Sequence, residues 1–480
     1  MFRFHAPAIL IILGFTLIRL LVAPTFGLGV DEAHYLLYAK YLDLSYVDHP
    51  PLVGWIHAAG YYLLGTDEFL ARLPAILLFA FTSWFAYRLS WSLSRSREKA
   101  IVALLALNGA FMLNALAIML LPDSILMLLS LLIVIRTRKL VRHGRTRDFL
   151  LIGLLFGLAG LTKYTAVLFV PAVLIHLAFE KRFDLLFSPR MILTGLIALC
   201  LVSPVLIWNI QHDFISFRYQ GGHVFAAQRP DLSLALKSLA AQFGAYSPFL
   251  FLIAFYGFAA GGRIPLGTAR LMRLTAALLL AFFVVGSFYE TTLPHWPCIF
   301  YLFCIPMGAM LLWERPGRFS RNFVLFSLGF SLFLTAFAYA ELSNRFIRYP
   351  DYQSPFRDIY GYDQIAARAH TILRSGPKIR PRALAVSNWT MGSRVEYYSL
   401  PYDQEVYVID DRHDQFDVWK PNPPLGYDLL FLNSRFHGID VDTALRCDRV
   451  CPADELPLFL NGRLVDRVTF VWCLNYQGRR

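Results

Sequence analysis

The chain of 480 residues is 57% hydrophobic and 15% aromatic, with only 16% charged residues and a mean hydropathy of +0.49. That composition excludes a water-soluble globular protein: apolar, nearly charge-free runs able to cross a ~30 Å hydrocarbon core recur as far as about Ala340. The net charge of +12 is confined to residues 1–340, which hold 27 Lys and Arg against 15 Asp and Glu, whereas residues 341–480 hold 18 of each; basic loops beside anionic headgroups account for it, and nucleic acid is not an expected partner.

The first apolar run, Ala6 to Val22, is read as a retained helix rather than a secretory signal, because a crowded polar segment follows it within a few residues. In that segment, Val30 to Gly54, a 100° period puts Asp31, His34, Tyr35 and Tyr38 on one side and Ala33, Leu36 and Leu37 on the other. This predicts a helix lying at a membrane surface and ending before Ser45. Asp48-His49-Pro50-Pro51 follows as an extended corner, since each proline biases its predecessor away from the α region. Trp55 to Leu64 reads as a second interfacial helix, and Gly65-Thr66-Asp67-Glu68 turns the chain into the next span, with Arg72 one turn later.

Eleven spans are predicted: 6–23, 70–91, 100–118, 122–135, 149–162, 164–179, 191–209, 238–260, 271–288, 297–313 and 322–340. With the N-terminus inside, twenty Lys and Arg fall in cytoplasmic ends and loops and six, Lys40, Arg72, Lys163, Arg218, Arg229 and Lys237, on the outer side, the bias expected of a multi-pass protein. Acidic and polar groups gather on that outer side. Asp123, in Pro122-Asp123-Ser124, is the single ionisable residue between Lys99 and Arg136; it either caps the next helix or belongs to a site. Gly157 and Gly160 would let helices approach closely just before Lys163. The stretch 210–237 reads as a long outer loop without an element of its own, in which aromatic rings alternate with His212, Asp213, Arg218, His223 and Arg229.

From 345 the pattern changes to a small soluble α/β domain, with a helix over 361–373 and strands over 383–386, 405–409 and 428–432. Cys200, Cys298 and Cys304 read as packed hydrophobes. Cys447 and Cys451 could close a small disulfide loop, with Cys473 as the odd thiol or an alternative partner. No internal repeat, phosphate-loop or dinucleotide glycine pattern, or nucleophile elbow is present.

The order of motifs resembles bacterial family 39 glycosyltransferases, in the same broad group as protein O-mannosyltransferases and aminoarabinose lipid A transferases. The resemblance rests on an acidic pair after the first span, Asp48-His49-Pro50-Pro51, Pro122-Asp123-Ser124, Leu161-Thr162-Lys163, Trp208-Asn209-Ile210-Gln211-His212 with Ser216-Phe217-Arg218, Leu293-Pro294-His295-Trp296-Pro297, and Gly361-Tyr362-Asp363 and Gln415 to Trp419 in the tail. It implies a GT-C-type fold, a polytopic α-helical membrane protein with about eleven transmembrane helices. The transmembrane domain would span 1–344, with a catalytic first outer loop at 24–69, followed by a periplasmic α/β domain at 345–480. The implied activity is an inverting transfer from a polyprenyl-phosphate-linked sugar donor to a periplasmic acceptor, lipid A or lipopolysaccharide core, at a bacterial inner membrane. A protein hydroxyl as acceptor is an alternative, as is a lipid-linked sugar transporter or a non-catalytic lipid-binding protein.

On that resemblance Asp31 is the catalytic base, with Asp48 and Asp123 as further catalytic carboxylates. His34, His49, Lys40, Arg72, Lys163, Arg218 and Tyr35 are candidates for holding the donor's phosphate and sugar. The aminoarabinose transferases carry Glu-Lys before the Pro-Pro corner where Asp48-His49 stands here. If His34 and His49 substitute as cations, phosphate binding should weaken as pH rises through the histidine range. The alternative is a divalent metal on Asp48, His49 and His212; otherwise no cofactor is expected.

Overall fold

The computed structural model describes residues 2–65, 67–224, 229–264, 267–376 and 379–480, which group into two compact units. The first comprises Met1–Ala23, Asp43–Ile56 and Phe69–Tyr339; the second comprises Pro24–Leu42, His57–Glu68 and Ala340–Arg480. The expected division at 344/345 leaves the whole first loop with the membrane helices, whereas segments 24–42 and 57–68 cluster with the tail. Thr66 in that loop, and 225–228 in the second, lie outside the described residues.

In chain order the helices are α1 (Phe2–Val22), α2 (Val30–Lys40), α3 (Leu52–Leu64), α4 (Glu68–Ser94), α5 (Arg97–Gly109), α6 (Phe111–Leu116), α7 (Pro122–His143) and α8 (Thr146–Gly160). There follow α9 (Phe169–Phe179), α10 (Phe183–Leu186), α11 (Pro189–Gln211), α12 (Ile215–Val224), α13 (Leu232–Ala245), α14 (Pro248–Ala260), α15 (Gly267–Ser287), α16 (Cys298–Glu314) and α17 (Arg318–Asn344). Among the described residues α1, α4, α11, α15 and α17 are long and apolar enough to cross a membrane, and α13 with α14 makes a sixth if counted as one bent span. The fold is helical and of membrane type. Helix length alone does not reproduce the eleven expected spans: α5, α8, α9 and α16 have 13, 15, 11 and 17 residues.

Three expected spans are drawn differently, each for a local reason. The run 238–260 bends by 107° between α13 and α14, because Pro248 excludes helical geometry at Ser247, whose φ is +68°. The run 100–118 breaks at Ala110; Asn114 Nδ2 donates to the Asn108 and Ala110 carbonyls there, at 2.7 and 2.9 Å. The same amide's Oδ1 accepts from buried Arg19, 2.7 Å away, and Arg19 also donates to Asn108 Oδ1 at 2.9 Å. Finally, α7 continues through its basic residues to His143 and stops at Gly144, which takes the left-handed conformation. The small-residue stripe of α8 does admit a close neighbour. A Cβ on Gly157 would lie 2.5 Å from Leu201 Cβ and one on Gly160 2.7 Å from Val202 Cγ2, both on α11. The stretch 210–237 has structure of its own, since α12 and the start of α13 fall within it.

In the second unit α18 (Tyr362–Ser375), α19 (Trp389–Ser399), α20 (Gln415–Trp419) and α21 (Val441–Ala444) accompany β1 (Arg382–Val386), β2 (Val406–Val408), β3 (Asp428–Ser434), β4 (Leu445–Arg446), β5 (Arg449–Leu460), β6 (Arg463–Leu474) and β7 (Gly478–Arg479). The main sheet has the order β2-β1-β3-β6-β5, with β1 parallel to both neighbours and the β3/β6 and β6/β5 pairs antiparallel; β4 and β7 form a separate pair. Ala383, Ala385, Leu429, Phe431 and Cys473 pack in its core. The disulfide joins Cys447 to Cys473, with Cα atoms 5.4 Å apart, and Cys451 is free. The Cys447–Cys451 alternative fails on reach. Residues 445–446 and 449–460 are strand, and four extended residues advance roughly 13 Å, about twice the separation a disulfide spans.

Candidate active site

In the first unit the proline corner is held from three sides. Trp208 Nε1 donates to Asp43 Oδ2 at 2.8 Å and Trp55 Nε1 to the Asp43 carbonyl at 3.0 Å. From α12, Ser216 Oγ donates to the Tyr46 carbonyl at 2.9 Å and Gln220 Nε2 to that of Asp48 at 2.6 Å. Past the prolines, the Leu52 N–H donates to the Leu161 carbonyl at 2.9 Å, tying the corner to the end of α8 just before Lys163.

Lys163 and Asp123 then meet. Pro122 occupies the first turn of α7, where a missing N–H costs nothing, and Asp123 lies beside it, where a helix N-terminus favours negative charge. The preceding turn is held by Ser124, whose Oγ donates to the Leu116 and Met119 carbonyls at 2.8 and 2.9 Å. Lys163 Nζ lies 2.8 and 2.9 Å from the two Asp123 carboxylate oxygens, and Lys163 and Asp123 are only 7% and 3% exposed. His295 Nε2 is 3.9 Å from Asp123 Oδ2, and the Cys298 thiol donates to Oδ1 at 3.6 Å. His49 lies within the electrostatic reach of Asp48, Lys163, Asp123 and His295. An ammonium has three N–H bonds, and two of those of Lys163 are aimed at Asp123.

Burial pushes His49 down to about 4, against the opposing pull of the Asp48 carboxylate. Burial thus favours the neutral ring over the cation expected to hold donor phosphate. Among the described residues no three His, Cys, Asp or Glu side chains are disposed to hold an ion. His212 instead stacks on Trp208, with ring centroids 4.0 Å apart, and its Nδ1 lies 2.8 Å from the Trp208 carbonyl oxygen. Arg72 is fully buried, and its Nη1 donates to the Ala23 carbonyl at 2.5 Å, a contact that ties the end of α1 to α4. Arg218 lies on an exposed part of α12; the side chain of His223 is outside what is described.

In the second unit α2 forms where expected, but Glu32 through Ala39 are all buried, so it is not a helix with one wet face. Glu32 Oε2 accepts the Gly29 N–H at 3.2 Å and so closes the helix start next to Asp31, which is partly exposed. His34 Nδ1 is hydrogen-bonded to Ser393 Oγ at 3.0 Å, and its ring is surrounded by Tyr35, Tyr38, Trp389, Phe416 and Trp419. Lys40 Nζ and Lys420 Nζ each lie 3.0 Å from Glu396 Oε1, to which Tyr41 donates at 2.5 Å. Glu396 is buried, and its charge is met by those two cations. His34 and Tyr35 are buried among these contacts, whereas Lys40 stays exposed beside its carboxylate.

Of the residues expected at a site, the structure brings together Asp48, His49, Asp123 and Lys163. Sequence reasoning missed His295 as a participant, although Leu293-Pro294-His295-Trp296-Pro297 had drawn notice, and it took Cys298 for a packed hydrophobe. Asp43, the anchor of the corner, carried no signal beyond being acidic.

Comparison with known proteins adds three findings. The sequence profile of dolichyl-phosphate-mannose-protein mannosyltransferases matches residues 48–208, an interval containing Asp48, His49, Asp123 and Lys163 but not Asp31. Lipid A galacturonosyltransferase RgtD of Rhizobium johnstonii is 28% identical over 257 residues, 51% of this chain and 52% of that protein; the chain thus spans about half the length of this curated relative. Two crystal structures of ArnT from Cupriavidus metallidurans, apo and bound to undecaprenyl phosphate, match with TM-scores of 0.64 and 0.66 at 14% and 12% identity. They cover 96% and 97% of this chain and 97% and 98% of theirs, a likeness of fold. Along nearly its whole length the chain thus shares the fold of ArnT, and over the part that carries the Asp123–Lys163 pair it is similar in sequence to dolichyl-phosphate-mannose-protein mannosyltransferases.

Proposed function

We propose that this protein is an inverting glycosyltransferase that moves a sugar from a polyprenyl-phosphate donor to lipid A or lipopolysaccharide core. The observation that carries the reading is the buried Asp123–Lys163 pair with His295, beside the His49 corner: a fixed cation in a water-poor setting where it acts strongly on phosphate oxygen. The acceptor hydroxyl oxygen attacks the anomeric carbon as that carbon's bond to the phosphate oxygen breaks. The hydroxyl proton passes to Asp31, the base that the family resemblance assigns. The electron pair leaves with polyprenyl phosphate, whose added charge Lys163 stabilises, and a single displacement inverts the anomeric configuration.

Lipid A is preferred over a protein hydroxyl because the relative from Rhizobium johnstonii is named for lipid A, which also makes galacturonate the first donor sugar to try. The loop charge bias supports eleven spans in a bacterial inner membrane, with the N-terminus in the cytoplasm and the tail in the periplasm. The test is transfer by purified Asp31→Asn protein beside wild type, with donor binding measured in parallel. The expected result is a fall in transfer of roughly 10²–10⁴-fold with binding retained. Near-normal transfer would remove Asp31 from the role and move it to Asp48 or Asp123.

A further inference from the structure

At the other end of the first unit's helices, away from Asp123 and Lys163 in sequence, the last turns of α4 and α7 line a half-open cavity of about 440 Å³. Its α7 wall is Ile135, Arg138, Lys139, Arg142 and His143, at i, i+3, i+4, i+7 and i+8, which is one helix face. Its α4 wall includes Trp84, Arg88 and Trp91. None of the lining residues is acidic.

The four cations of this cavity differ from their neighbours. Arg136 lies 3.5 Å from Asp148, Lys99 2.7 Å from Glu314, Arg182 2.8 Å from Asp184 and Arg270 3.3 Å from Glu180. Among the described residues, no carboxylate comes within ion-pair distance of Arg88, Arg138, Lys139 or Arg142. They do not simply splay into solvent either. Arg138 Nη1 donates to Ser92 Oγ at 2.6 Å, and the Arg88 guanidinium lies over Trp84 and Trp91, 5.4 and 5.7 Å from their ring centroids. Both indoles are in turn packed edge-on against His5, whose Nδ1 is hydrogen-bonded to the Tyr87 hydroxyl at 3.0 Å. The walls are thus fixed, and the positive charge has a shaped, partly apolar enclosure at the end of α4, a helix long enough to span a membrane. Basic pockets between membrane helices at that depth suit phosphate headgroups, and indoles suit the interface.

We propose that this cavity binds the headgroup of an anionic phospholipid, its phosphodiester against Arg88, Arg138, Lys139 and Arg142 and the start of its acyl chains along Trp84, Phe85 and Ile135. The inference does not depend on the proposed transferase activity. It commits to a lipid rather than to a free phosphate because the cavity exceeds a phosphate ion several-fold and much of its wall is hydrocarbon.

The test is native mass spectrometry of full-length protein released from nanodiscs of phosphatidylethanolamine containing cardiolipin or phosphatidylglycerol. Wild type should retain the anionic lipid in preference to phosphatidylethanolamine. Each cation removed should weaken retention on the order of 5-fold, so Arg88→Gln/Arg138→Gln/Arg142→Gln should lose about 100-fold, while Arg315→Gln/Arg321→Gln, which removes cations elsewhere, should not differ from wild type. If the triple variant is not monodisperse, Arg142→Gln alone and the lipid competition on wild type decide. Equal retention of anionic and zwitterionic lipid, or of anionic lipid by wild type and the Arg142 variant, would overturn the proposal. So would displacement of the lipid by millimolar inorganic phosphate or glycerol phosphate, which would assign the cavity to a soluble anion.

Discussion

Removing Lys163 tests whether the Asp123–Lys163 pair is the keystone of the first unit. In Lys163→Met a methionine of similar length fills the space, but Asp123, 3% exposed, loses the ammonium that meets both of its oxygens. The Cys298 thiol and His295, 3.6 and 3.9 Å away, are too distant to replace it. Breaking a buried ion pair from one side typically costs about 3–5 kcal/mol, because the remaining charge is stranded. Asp123→Asn strands the ammonium instead and should cost a comparable amount, whereas Asp123→Asn/Lys163→Met strands neither. The double variant should therefore be more stable than the sum of the singles implies, with a coupling on the order of 2–3 kcal/mol. The assay is thermal and denaturant unfolding of purified protein in one detergent, with donor binding measured on each variant at a temperature where all are folded. The double variant should be folded and still fail to bind donor, since the cation is gone. Additive stability effects would refute the pair, and donor binding by the folded double variant at wild-type strength would refute Lys163 as the phosphate contact.

Four further outcomes follow. His49 has a folded pKa of about 4 against an ordinary 6.5, so its neutral form is favoured on folding. That stabilisation is present above pH 6.5 and is lost as pH falls from there towards 4; unfolding curves across pH 4–8 should show the loss in wild type and less of it in His49→Gln, with donor binding between pH 6 and 8 equally flat in both. Cys447→Ser opens a loop of sequence separation 26 and should cost about 3 kcal/mol, whereas Cys451→Ser should stay within about 0.5 kcal/mol; non-reducing peptide mapping checks the pairing. Glu396→Gln leaves Lys40 and Lys420 facing one another without their shared carboxylate and should destabilise by about 3 kcal/mol or more, read by melting. Transfer should survive dialysis against EDTA if Lys163, which meets Asp123, supplies the positive charge for the leaving phosphate; loss restored by one divalent metal would favour the metal alternative on Asp48, His49 and His212.

What was legible in the sequence follows from what is local. The start of α2, the turn into α4 and the helix and strands over 361–432 arise from periodicity, prolines and β-branched runs, and they form within a few residues of expectation. The destination of a side chain is not local. His34 looked available because its neighbours in sequence are polar; its partner, Ser393, lies 359 positions on. Lys40 was read as an outer cation for the same reason, and its carboxylate is 356 positions away. The β5/β6 hairpin went unread because Pro452 and Pro457 interrupt the alternation of β5, yet Asn461-Gly462, with φ of +52° and +74°, is the turn signal that could have revealed it. At the candidate site, Asp123 could be flagged by its isolation between Lys99 and Arg136. That Lys163, 40 residues later, supplies its counter-charge depended on helix packing that glycine spacing only hinted at.

The most direct measurement of the central claim is the product of the wild-type reaction. Purified full-length protein, incubated in mixed micelles with lipid A and a panel of polyprenyl-phosphate sugars beginning with galacturonate, should release polyprenyl phosphate in a one-to-one ratio with sugar-bearing lipid A. The new glycosidic bond should have the anomeric configuration opposite to the donor's. Retained configuration would contradict the single displacement. No transfer from any donor, with donor moving between the leaflets of proteoliposomes instead, would contradict the transferase reading and leave a transporter.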